Sequence, residues 1–331
     1  MRILSERVRG AVARWSIAAL LAACLPVPAA SAEAYPSKPI RIIVPFGAGG
    51  IADFTARAVA RKMSESLGQP VVIENRPSAG GVIATQAVAR AEPDGYTLLL
   101  MSNGNAVSVG LFKSLPFDTV KDLAPISTLG FFDLVVIVRA NSRFASLREL
   151  LAFAREHPGK LNIGTINVGS TQNLAGELFK SRAAIDAQIV PFGGTPALFS
   201  ALLGGSVDAA VEIVGPVIPQ VAGKAVRILA VMGAKRREGM PDVPTVMESG
   251  IPDFSVASWN ALAAPARTPK DIVARLNKEA NAAVASPEVR ARLAELGVDA
   301  RGGTPEEARE LLASEIRRWS EVIAKAGIER Q

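Results

Sequence analysis

Short apolar runs alternate with glycine turns and helical segments in the first part of the chain. Ile40–Val44, Val71–Glu74 and Tyr96–Met101 have the length and composition of buried strands. The segments Asp53–Leu67 and Val82–Ala91 follow glycine turns and are predicted to be helical. Strands that alternate with helices in this way form parallel sheets covered on both faces. The pattern therefore predicts an α/β domain.

The same alternation returns further along the chain and ends in a helical tail. Helices are predicted to begin at Ser146, Ser170 and Thr195. The strands predicted around these helices are Leu134–Arg139, Asn162–Thr165, Gln188–Val190, Val207–Ile213 and Val226–Val231. The tail predicts three further helices, each with proline at or near its first turn: Pro269–Ser286, Pro287–Leu296 and Pro305–Ala326. Two α/β sets with a helical tail predict a protein of two lobes.

Residues 1–32 carry the pattern of an export signal. A basic start precedes the apolar run Trp15–Ala23, and prolines separate that run from the sequence Ala-Ser-Ala at 30–32. The run is too short to cross a bilayer as a permanent helix. The pattern therefore predicts a cleaved signal and a protein that works in the periplasm. Cys24 leaves a second interpretation open, in which this cysteine becomes a lipid anchor.

The composition is that of a globular protein, and it excludes several kinds of site. The 331 residues are 49% hydrophobic and 21% charged. His157 is the only histidine and Cys24 the only cysteine, which excludes zinc fingers, cysteine-rich metal sites and disulfide scaffolds. Removing residues 1–32 takes away four positive charges and one negative charge, so the net charge falls from +6 to +3. Since no Lys/Arg block with interleaved aromatic residues is present, nucleic acid is not an expected partner.

Glycines and polar residues cluster where the predicted strands meet the predicted helices. Ligands of open α/β sheets bind outside the carboxyl ends of the strands. Five segments occupy such positions and are expected to border one cleft: 45–53, 101–106, 165–173, 191–196 and 212–216.

The segment Gly47–Ala52 has two interpretations. It fits the pattern G-x-G-x-x-A after a strand, and Glu74 at the end of the next strand would serve as the ribose acid of a dinucleotide site. The alternative is a tight turn whose glycines let the backbone approach any anion. Export argues against a soluble redox cofactor, and His157 lies beside Pro158 at a helix end, where a solvated surface position is expected. We therefore expect no cofactor and no metal.

The other segments offer donors to an anion but no catalytic pair. Ser170 and Thr171 open a helix, where they would bind a carboxylate or phosphate or would cap the helix itself. Neutral donors and acceptors are further offered by Ser102, Asn103, Gly193, Thr195 and their neighbour Phe192. The acids near these strand ends (Asp53, Asp208, Glu212) form no evident general acid and base pair. Helix N-termini without a nucleophile indicate a binder of small anions rather than an enzyme.

Several segments together resemble a known family. They are Tyr35–Phe46, Gly49–Asp53, Glu74–Pro77, Pro93–Thr97, Asn173–Phe179, Leu203–Asp208, Pro241–Thr245 and Thr268–Asp271. In this order they resemble the Bug (TctC-like) receptors, the extracytoplasmic solute receptors of tripartite tricarboxylate transporters. The resemblance runs from about residue 35 to the C-terminus.

The resemblance implies a two-lobed periplasmic-binding-protein fold of the Venus-flytrap, type II-like kind with a helical C-terminal tail. Lobe 1 would comprise residues 33–134 plus 258–331, and lobe 2 residues 135–257. The ligand would be a small carboxylate held by two loops, partly through water. By position the gripping residues would be Phe46, Gly47, Ala48, Gly50 and Asp53 in lobe 1, and Gly169, Ser170 and Thr171 in lobe 2.

Three positions depart from the family's usual residues. Ala52 stands where threonine is usual, Phe192 where tyrosine is usual, and Glu212 where aspartate is usual. The loss of two hydroxyls makes the pocket more apolar, and Glu212 would accept from a ligand amine, amide or hydroxyl. We therefore expect a monocarboxylate, an aromatic carboxylate or an amino-acid-like ligand rather than a citrate-like one. The expected partner is the permease of a tripartite transporter, with a sensor kinase as the alternative, and the expected state is a monomer.

Overall fold

The computed structural model describes residues 35–331, in which it places ten strands, ten α-helices and one short 3-10 helix at Ala79–Gly81. Lys38–Gln331 packs together as a single unit. The predicted export signal, its cleavage site and Cys24 lie outside the described residues. Across positions 35–331, none of the helices combines the length and apolarity needed to cross a membrane.

The first three strands run parallel, as the sequence predicted. β2 and β3 both pair with β1 in parallel register, so β1 lies between them. Each strand is followed by a helix, and β3 leads directly into its helix without a turn. The helix after β1 ends at Gly68, which adopts the left-handed conformation (φ 67°) that glycine favours. The bounds are β1 Ile40–Val44, α1 Ile51–Leu67, β2 Val71–Asn75, α2 Val82–Ala89, β3 Thr97–Ser102 and α3 Asn103–Leu111.

The strand β4, Leu123–Arg139, belongs to two sheets in turn. Its first part pairs antiparallel with β9, Ala257–Pro265, as far as Asp133. From Leu134 onwards it pairs antiparallel with β7 and β8 instead, whose bounds are Ala209–Ile213 and Val226–Val231. This change of partner joins two sheets. The first has the strand order β2-β1-β3-β9-β4-β10, in which β10 is Asp299–Ala300. The second has the order β8-β4-β7-β5-β6, in which β5 is Leu161–Ile166 and β6 is Ala187–Phe192.

The second sheet again carries its helices between parallel strands. β5 pairs in parallel with both β6 and β7. The elements that surround this sheet are α4 Leu147–Glu156, β5 Leu161–Ile166, α5 Thr171–Ala183, β6 Ala187–Phe192, α6 Thr195–Gly204 and α7 Val214–Ala222.

The C-terminal helices return to the first sheet. They are α8 Lys270–Ala285, α9 Pro287–Glu295 and α10 Pro305–Lys325, with the short strand β10 Asp299–Ala300 before the last of them. α10 packs against α3 and β4, and α8 packs against α1 and β4. The lobe bounds expected above stay a prediction, which the change of partner in β4 and the return through β9 support.

Four elements of the structure are absent from the sequence-based prediction: α3, α7, β9 and the two-residue strand β10. α3 and α7 begin inside segments that were expected to be loops, 101–106 and 212–216, and β9 was not predicted. α3 and α7 were missed because they contain glycine or proline, which lower intrinsic helix propensity. β9 was missed because it is rich in alanine rather than in β-branched residues. A capping box between Ser102 and Asn105 begins α3 and compensates for Gly104 within its first turn.

One cluster of buried apolar side chains runs through both sheets. It contains Met101 and Trp259 of the first sheet, Ile163 of the second, and Phe179 of α5. Trp319 of α10 lies in the same cluster. The side of the molecule where α10 lies is therefore packed continuously from one lobe to the other.

Candidate functional site

The loop after β1 is exposed and ends at an uncapped helix. Residues 46–50 are all exposed although Ile42–Pro45 before them are buried. Gly50 is the N-cap of α1 and offers no side chain to the first turn of the helix. The amides of a helix N-terminus carry partial positive charge and bind anions. Phe46, Gly47, Ala48 and Gly50 thus lie where the sequence predicted a ligand loop.

The carboxylate of Asp53 holds this loop through hydrogen bonds. Its side chain is 2% exposed and accepts from the backbone amide of Gly49 at 3.0 Å, Nε of Arg57 at 2.9 Å and Nδ2 of Asn75 at 2.9 Å. Burial opposes its ionisation, but these donors outweigh burial and lower the pKa of Asp53. Asn75 also donates to the carbonyl of Phe46 at 3.0 Å. The expected contact of Asp53 with the ligand stays a prediction, because its oxygens already accept these protein donors.

Ser102 and Asn103 also face the protein interior. Ser102 is 4% exposed and caps α3. Asn103 is fully buried, donates through Nδ2 to Oγ1 of Thr171 at 2.9 Å, and accepts at Oδ1 from Nε1 of Trp319 at 2.8 Å. The same indole Nε1 donates to Oε2 of Glu315 at 2.8 Å. Asn103 therefore links the two lobes and is held by α10.

The loop before α5 is both a cap and an exposed surface. Ser170 accepts from the amide of Asn173 at 3.1 Å, and the side chain of Asn173 accepts from the amide of Gly169 at 3.1 Å. Gly169 has φ +77°, and a Cβ there would lie 2.5 Å from Cδ2 of Leu111 in α3. Ser170 and Thr171 are half-buried. The structure shows the capping role of Ser170, and its role toward a ligand stays a prediction.

The remaining predicted residues of the second lobe lie at the end of β6, at the start of α6 and in β7. Phe192 packs against the core of this lobe, while Gly193 beside it is exposed. α6 begins after Gly194 without a side-chain cap. Oγ1 of Thr195 donates to Oε2 of Glu212 at 2.7 Å.

Glu212 is a fully buried carboxylate that three protein groups hold. Besides Thr195, Nε2 of Gln172 donates to its Oε1 at 2.7 Å and the amide of Ile213 donates to the same oxygen at 2.8 Å. Burial raises the pKa of Glu212, and these three hydrogen bonds oppose that rise. The expected contact of Glu212 with a ligand amine, amide or hydroxyl stays a prediction.

The raised pKa of Glu212 predicts a pH-dependent effect on stability. Since the folded state holds this proton more tightly than the unfolded chain, the stability contributed by Glu212 is fully present below its ordinary pKa of 4.5 and is lost as the pH rises through the raised value. In E212Q the side chain at this position cannot ionise, so this loss of stability with rising pH is absent. We expect E212Q to need more urea for unfolding than the wild type at pH 7.5, and the two proteins to converge near pH 4. A variant that is less stable than the wild type at pH 7.5 would contradict this prediction.

Contacts between the lobes bring these loops to one cleft. Besides the bond of Asn103 to Thr171, a Cβ on Gly215 at the start of α7 would lie 2.9 Å from Cδ1 of Ile51 at the start of α1. The loop before α1 therefore lies beside the carboxyl end of β7. The side chains of Asp53, Ser102 and Glu212, by contrast, are buried and do not lie at the surface of the cleft.

Other residues important to the site were missed by the sequence reasoning. They are Asn75, Gln172, Gly215 and Trp319. Asn75 lies at the carboxyl end of β2, a position that the strand-end rule covers. Gln172 and Gly215 lie in the segments 165–173 and 212–216 that were expected to border the cleft. Their individual roles, and that of Trp319, are identified only by partners distant along the chain.

The dinucleotide interpretation finds no support in the structure. Glu74, the expected ribose acid, forms ion pairs with Arg41 at 3.2 Å and with Arg76 at 2.5 Å. His157 ends α4 as an exposed residue against the ring of Phe153. Throughout positions 35–331, no group of three or more His, Cys, Asp or Glu side chains has the arrangement of a metal site.

Two sheets joined by a shared strand, with helix N-termini of both meeting at one cleft, define a two-lobed periplasmic solute-binding protein. The sequence profile described as "Tripartite tricarboxylate transporter family receptor" (TctC) matches residues 55–328. The chain belongs to this family of solute-binding receptors, which are not enzymes. The resemblance to Bug receptors and the two-lobed fold are thereby confirmed.

The chain is similar over nearly its whole length to curated relatives. It is 38% identical to Protein BugT of Bordetella pertussis, over 90% of this chain and 92% of BugT. It is 39% identical to the "UPF0065 protein in tcbD-tcbE intergenic region" of Pseudomonas sp. (strain P51), over 88% of each chain.

Solved structures of similar proteins share the fold. The periplasmic binding protein BugD is 32% identical with a TM-score of 0.76, over 90% of this chain and all of BugD. An R. palustris protein solved with adipate is 32% identical with a TM-score of 0.78, over 88% of this chain and 98% of that one. MatC from Rhodopseudomonas palustris, solved with malate, is 33% identical with a TM-score of 0.74, over 87% of this chain and all of MatC. Carboxylate binding is thus recorded in structures of two similar proteins.

Proposed function

We propose that this chain captures a small organic carboxylate between its two lobes and delivers it to the membrane permease of a tripartite transporter. The observation that carries the proposal is an uncapped helix N-terminus in each lobe, at Gly50 before α1 and at Gly194 before α6. Backbone amides at such ends suit a carboxylate. The adipate and malate bound to similar proteins support the same ligand class.

The proposed ligand carries one carboxylate on an apolar body. Phe46 and Val168 are 40% and 48% exposed and lie in the loops before α1 and α5, one loop in each lobe. Exposed apolar side chains beside a cleft favour an apolar ligand surface. We therefore propose an aliphatic or aromatic monocarboxylate, or an amino-acid-like ligand, rather than a tricarboxylate such as citrate.

A ligand screen tests capture and ligand class together. We expect one class of monocarboxylate to raise the unfolding temperature of the purified protein by several degrees, since ligand at a hundred times its Kd adds about 2.7 kcal/mol to stability. The panel contains aliphatic and aromatic monocarboxylates, amino acids, adipate, malate, citrate and NAD. Citrate as the tightest ligand would contradict the proposed class. Stabilisation by NAD and by no carboxylate would contradict the proposed function.

Delivery is tested separately in cells. Uptake of the labelled ligand identified by the screen is measured with and without the gene for this chain. We expect uptake at low ligand concentration to depend on the gene, and restored uptake on complementation. Unchanged uptake together with a lost transcriptional response to the ligand would favour a sensor kinase as the partner instead.

A further inference from the structure

Asn260, in β9, is a buried side chain with no hydrogen-bond partner on either of its polar atoms. It is 1% exposed, and neither Nδ2 nor Oδ1 is paired. Within the part of the chain that the structure describes, it is the one amide side chain left in this state. Buried polar groups are normally paired, so each exception needs an explanation. We propose that Asn260 binds a hydroxyl group of the ligand and that the cleft thereby selects hydroxylated carboxylates; the inference rests on the proposed function, because it concerns the same cleft.

The strand pairing places Asn260 at the edge of the first sheet where the ligand loops lie. Asn260 pairs with Ser102, which is the last residue of β3, so both residues lie at the carboxyl end of that strand. Ligands of α/β sheets bind beyond this end. The residue after Ser102 is Asn103, which donates to Thr171 of lobe 2. Asn260 therefore lies on the cleft side of its sheet, next to a contact between the lobes.

The side chain of Asn260 points to the face of the sheet on which α1 lies. Its neighbours Trp259 and Ala261 belong to the apolar cluster that contains α10, so the alternation of the strand turns Asn260 to the opposite face. α2 contributes Ala84 and Val88 to that same cluster. The connections from β1 to β2 and from β2 to β3 lead in opposite directions across the sheet, and right-handed connections then put α1 and α2 on opposite faces. Asn260 thus shares its face with α1, whose uncapped N-terminus is proposed to bind the carboxylate.

The residues across from Asn260 offer its amide no partner. On β4 it lies opposite Gly130, which has no side chain. On β3 it lies opposite Ser102, whose hydroxyl oxygen accepts from the amide of Gly104 instead. Thr55 of α1 is also fully buried, and its Oγ1 is unpaired as well. Two unpaired polar side chains in the layer between the first sheet and α1 indicate that a small polar group from outside the chain enters this layer.

The chemistry of the amide identifies the group that it binds. Nδ2 of Asn260 donates and Oδ1 accepts, so a matching group must accept and donate as well. A carboxylate only accepts, and it would bring an unpaired charge into a buried place. A hydroxyl does both and is small and neutral. Water has the same capacity, so a ligand without a hydroxyl leaves either a water molecule or an unpaired amide beside Asn260. The proposed ligand therefore carries a hydroxyl on its apolar body in addition to its carboxylate.

The experiment compares ligands that differ only in a hydroxyl. Isothermal titration measures the Kd of the purified protein for benzoate against 2-, 3- and 4-hydroxybenzoate, and for hexanoate against 2- and 6-hydroxyhexanoate. These isomers place the hydroxyl at different distances from the carboxylate. We expect at least one hydroxylated ligand to bind about tenfold or more tightly than its parent, because the parent leaves the buried amide without its partner.

Two variants of Asn260 and one control test the assignment. N260L keeps the branched shape of the side chain without its polar atoms, and N260A removes the amide without any risk of overpacking. We expect both variants to bind benzoate and hexanoate like the wild type and to lose the preference for the hydroxylated ligand. The matched control is W259F, which removes another unpaired N–H group from the same strand but on the opposite face of the sheet, and which should keep the preference.

The outcomes separate this inference from the proposed function. A wild type that binds every hydroxylated ligand no more tightly than its parent, or variants N260L and N260A that keep the wild-type ratio, would overturn the role of Asn260 and leave carboxylate capture intact. A purely structural role would lower the affinity for parent and hydroxylated ligands alike, and that result, or an equal loss of preference in W259F, would also overturn it. A wild type that binds none of these carboxylates contradicts the proposed function, and this inference falls with it.

Discussion

Replacement of Gly215 by valine is expected to weaken ligand binding by about a hundredfold, because it prevents the lobes from meeting. Gly215 lies in the first turn of α7 in lobe 2. A Cβ at this position would lie 2.7 Å from the carbonyl oxygen of Leu296 and 2.9 Å from Cδ1 of Ile51, both in the other lobe. The backbone oxygen cannot turn away as the end of a flexible side chain could. G215V therefore holds the lobes apart and leaves the ligand with the contacts of one lobe at a time.

The matched control for G215V is the same substitution in another helix of lobe 2. Gly204 at the end of α6 is exposed, and a Cβ there would meet no atom within 4 Å. We expect G204V to bind ligand like the wild type. Isothermal titration gives the affinities, and small-angle scattering with saturating ligand reports whether G215V stays open. Wild-type affinity in G215V would show that this contact does not control closure.

Glycine at 215 is notable because the helix itself does not require it. Gly215 has an ordinary helical conformation, and glycine within a helix costs about 1 kcal/mol relative to alanine. The approach of Ile51 and Leu296 gives the physical reason for this choice. The sequence reasoning placed 212–216 at the cleft as a loop. The location is consistent with the structure, but the loop was wrong, since α7 begins at Val214.

The fold was predictable wherever local signals decided it. β1 was predicted at its observed bounds because Ile40–Val44 is an apolar run between polar residues and a glycine turn. The first helix was predicted from Asp53 and begins at Ile51, within the ordinary uncertainty of helix ends. β9 was missed because its pairing with β3 and β4 decides its conformation, and its alanines carry no strand signal.

The directions of the site side chains were not predictable from local sequence. Asp53, Asn103 and Glu212 were all expected to reach the ligand from loops at strand ends. Each forms hydrogen bonds with partners elsewhere in the chain, such as Asn75 for Asp53 and Trp319 for Asn103, and its contact with a ligand stays a prediction. A short polar side chain at a helix N-terminus can serve a ligand or the fold. Tertiary contacts, which sequence spacing does not reveal, decide between these roles.

The N–H group of Trp319 is expected to add stability beyond what the apolar surface of its ring provides. W319F would leave Oδ1 of Asn103 and Oε2 of Glu315 without the donor that now lies 2.8 Å from each. Asn103 is fully buried and Glu315 is 6% exposed, so water does not readily replace the donor. A buried acceptor left unsatisfied costs about 1–3 kcal/mol, and more when it is charged.

Trp259 provides the control that isolates this effect. Its ring is 1% exposed and lies in the same apolar cluster as Trp319, but its Nε1 donates to no acceptor among the described residues. W259F and W319F remove the same apolar surface from the same core, so the difference between them reports the N–H group. We expect urea unfolding to show W319F less stable than W259F by about 2 kcal/mol or more. Equal losses in the two variants would contradict this.

Because an indole can only donate, Trp319 also fixes the Asn103 amide with its oxygen toward α10 and its nitrogen toward Thr171. W319F frees that amide to turn. It should therefore also weaken ligand binding, whereas W259F should not.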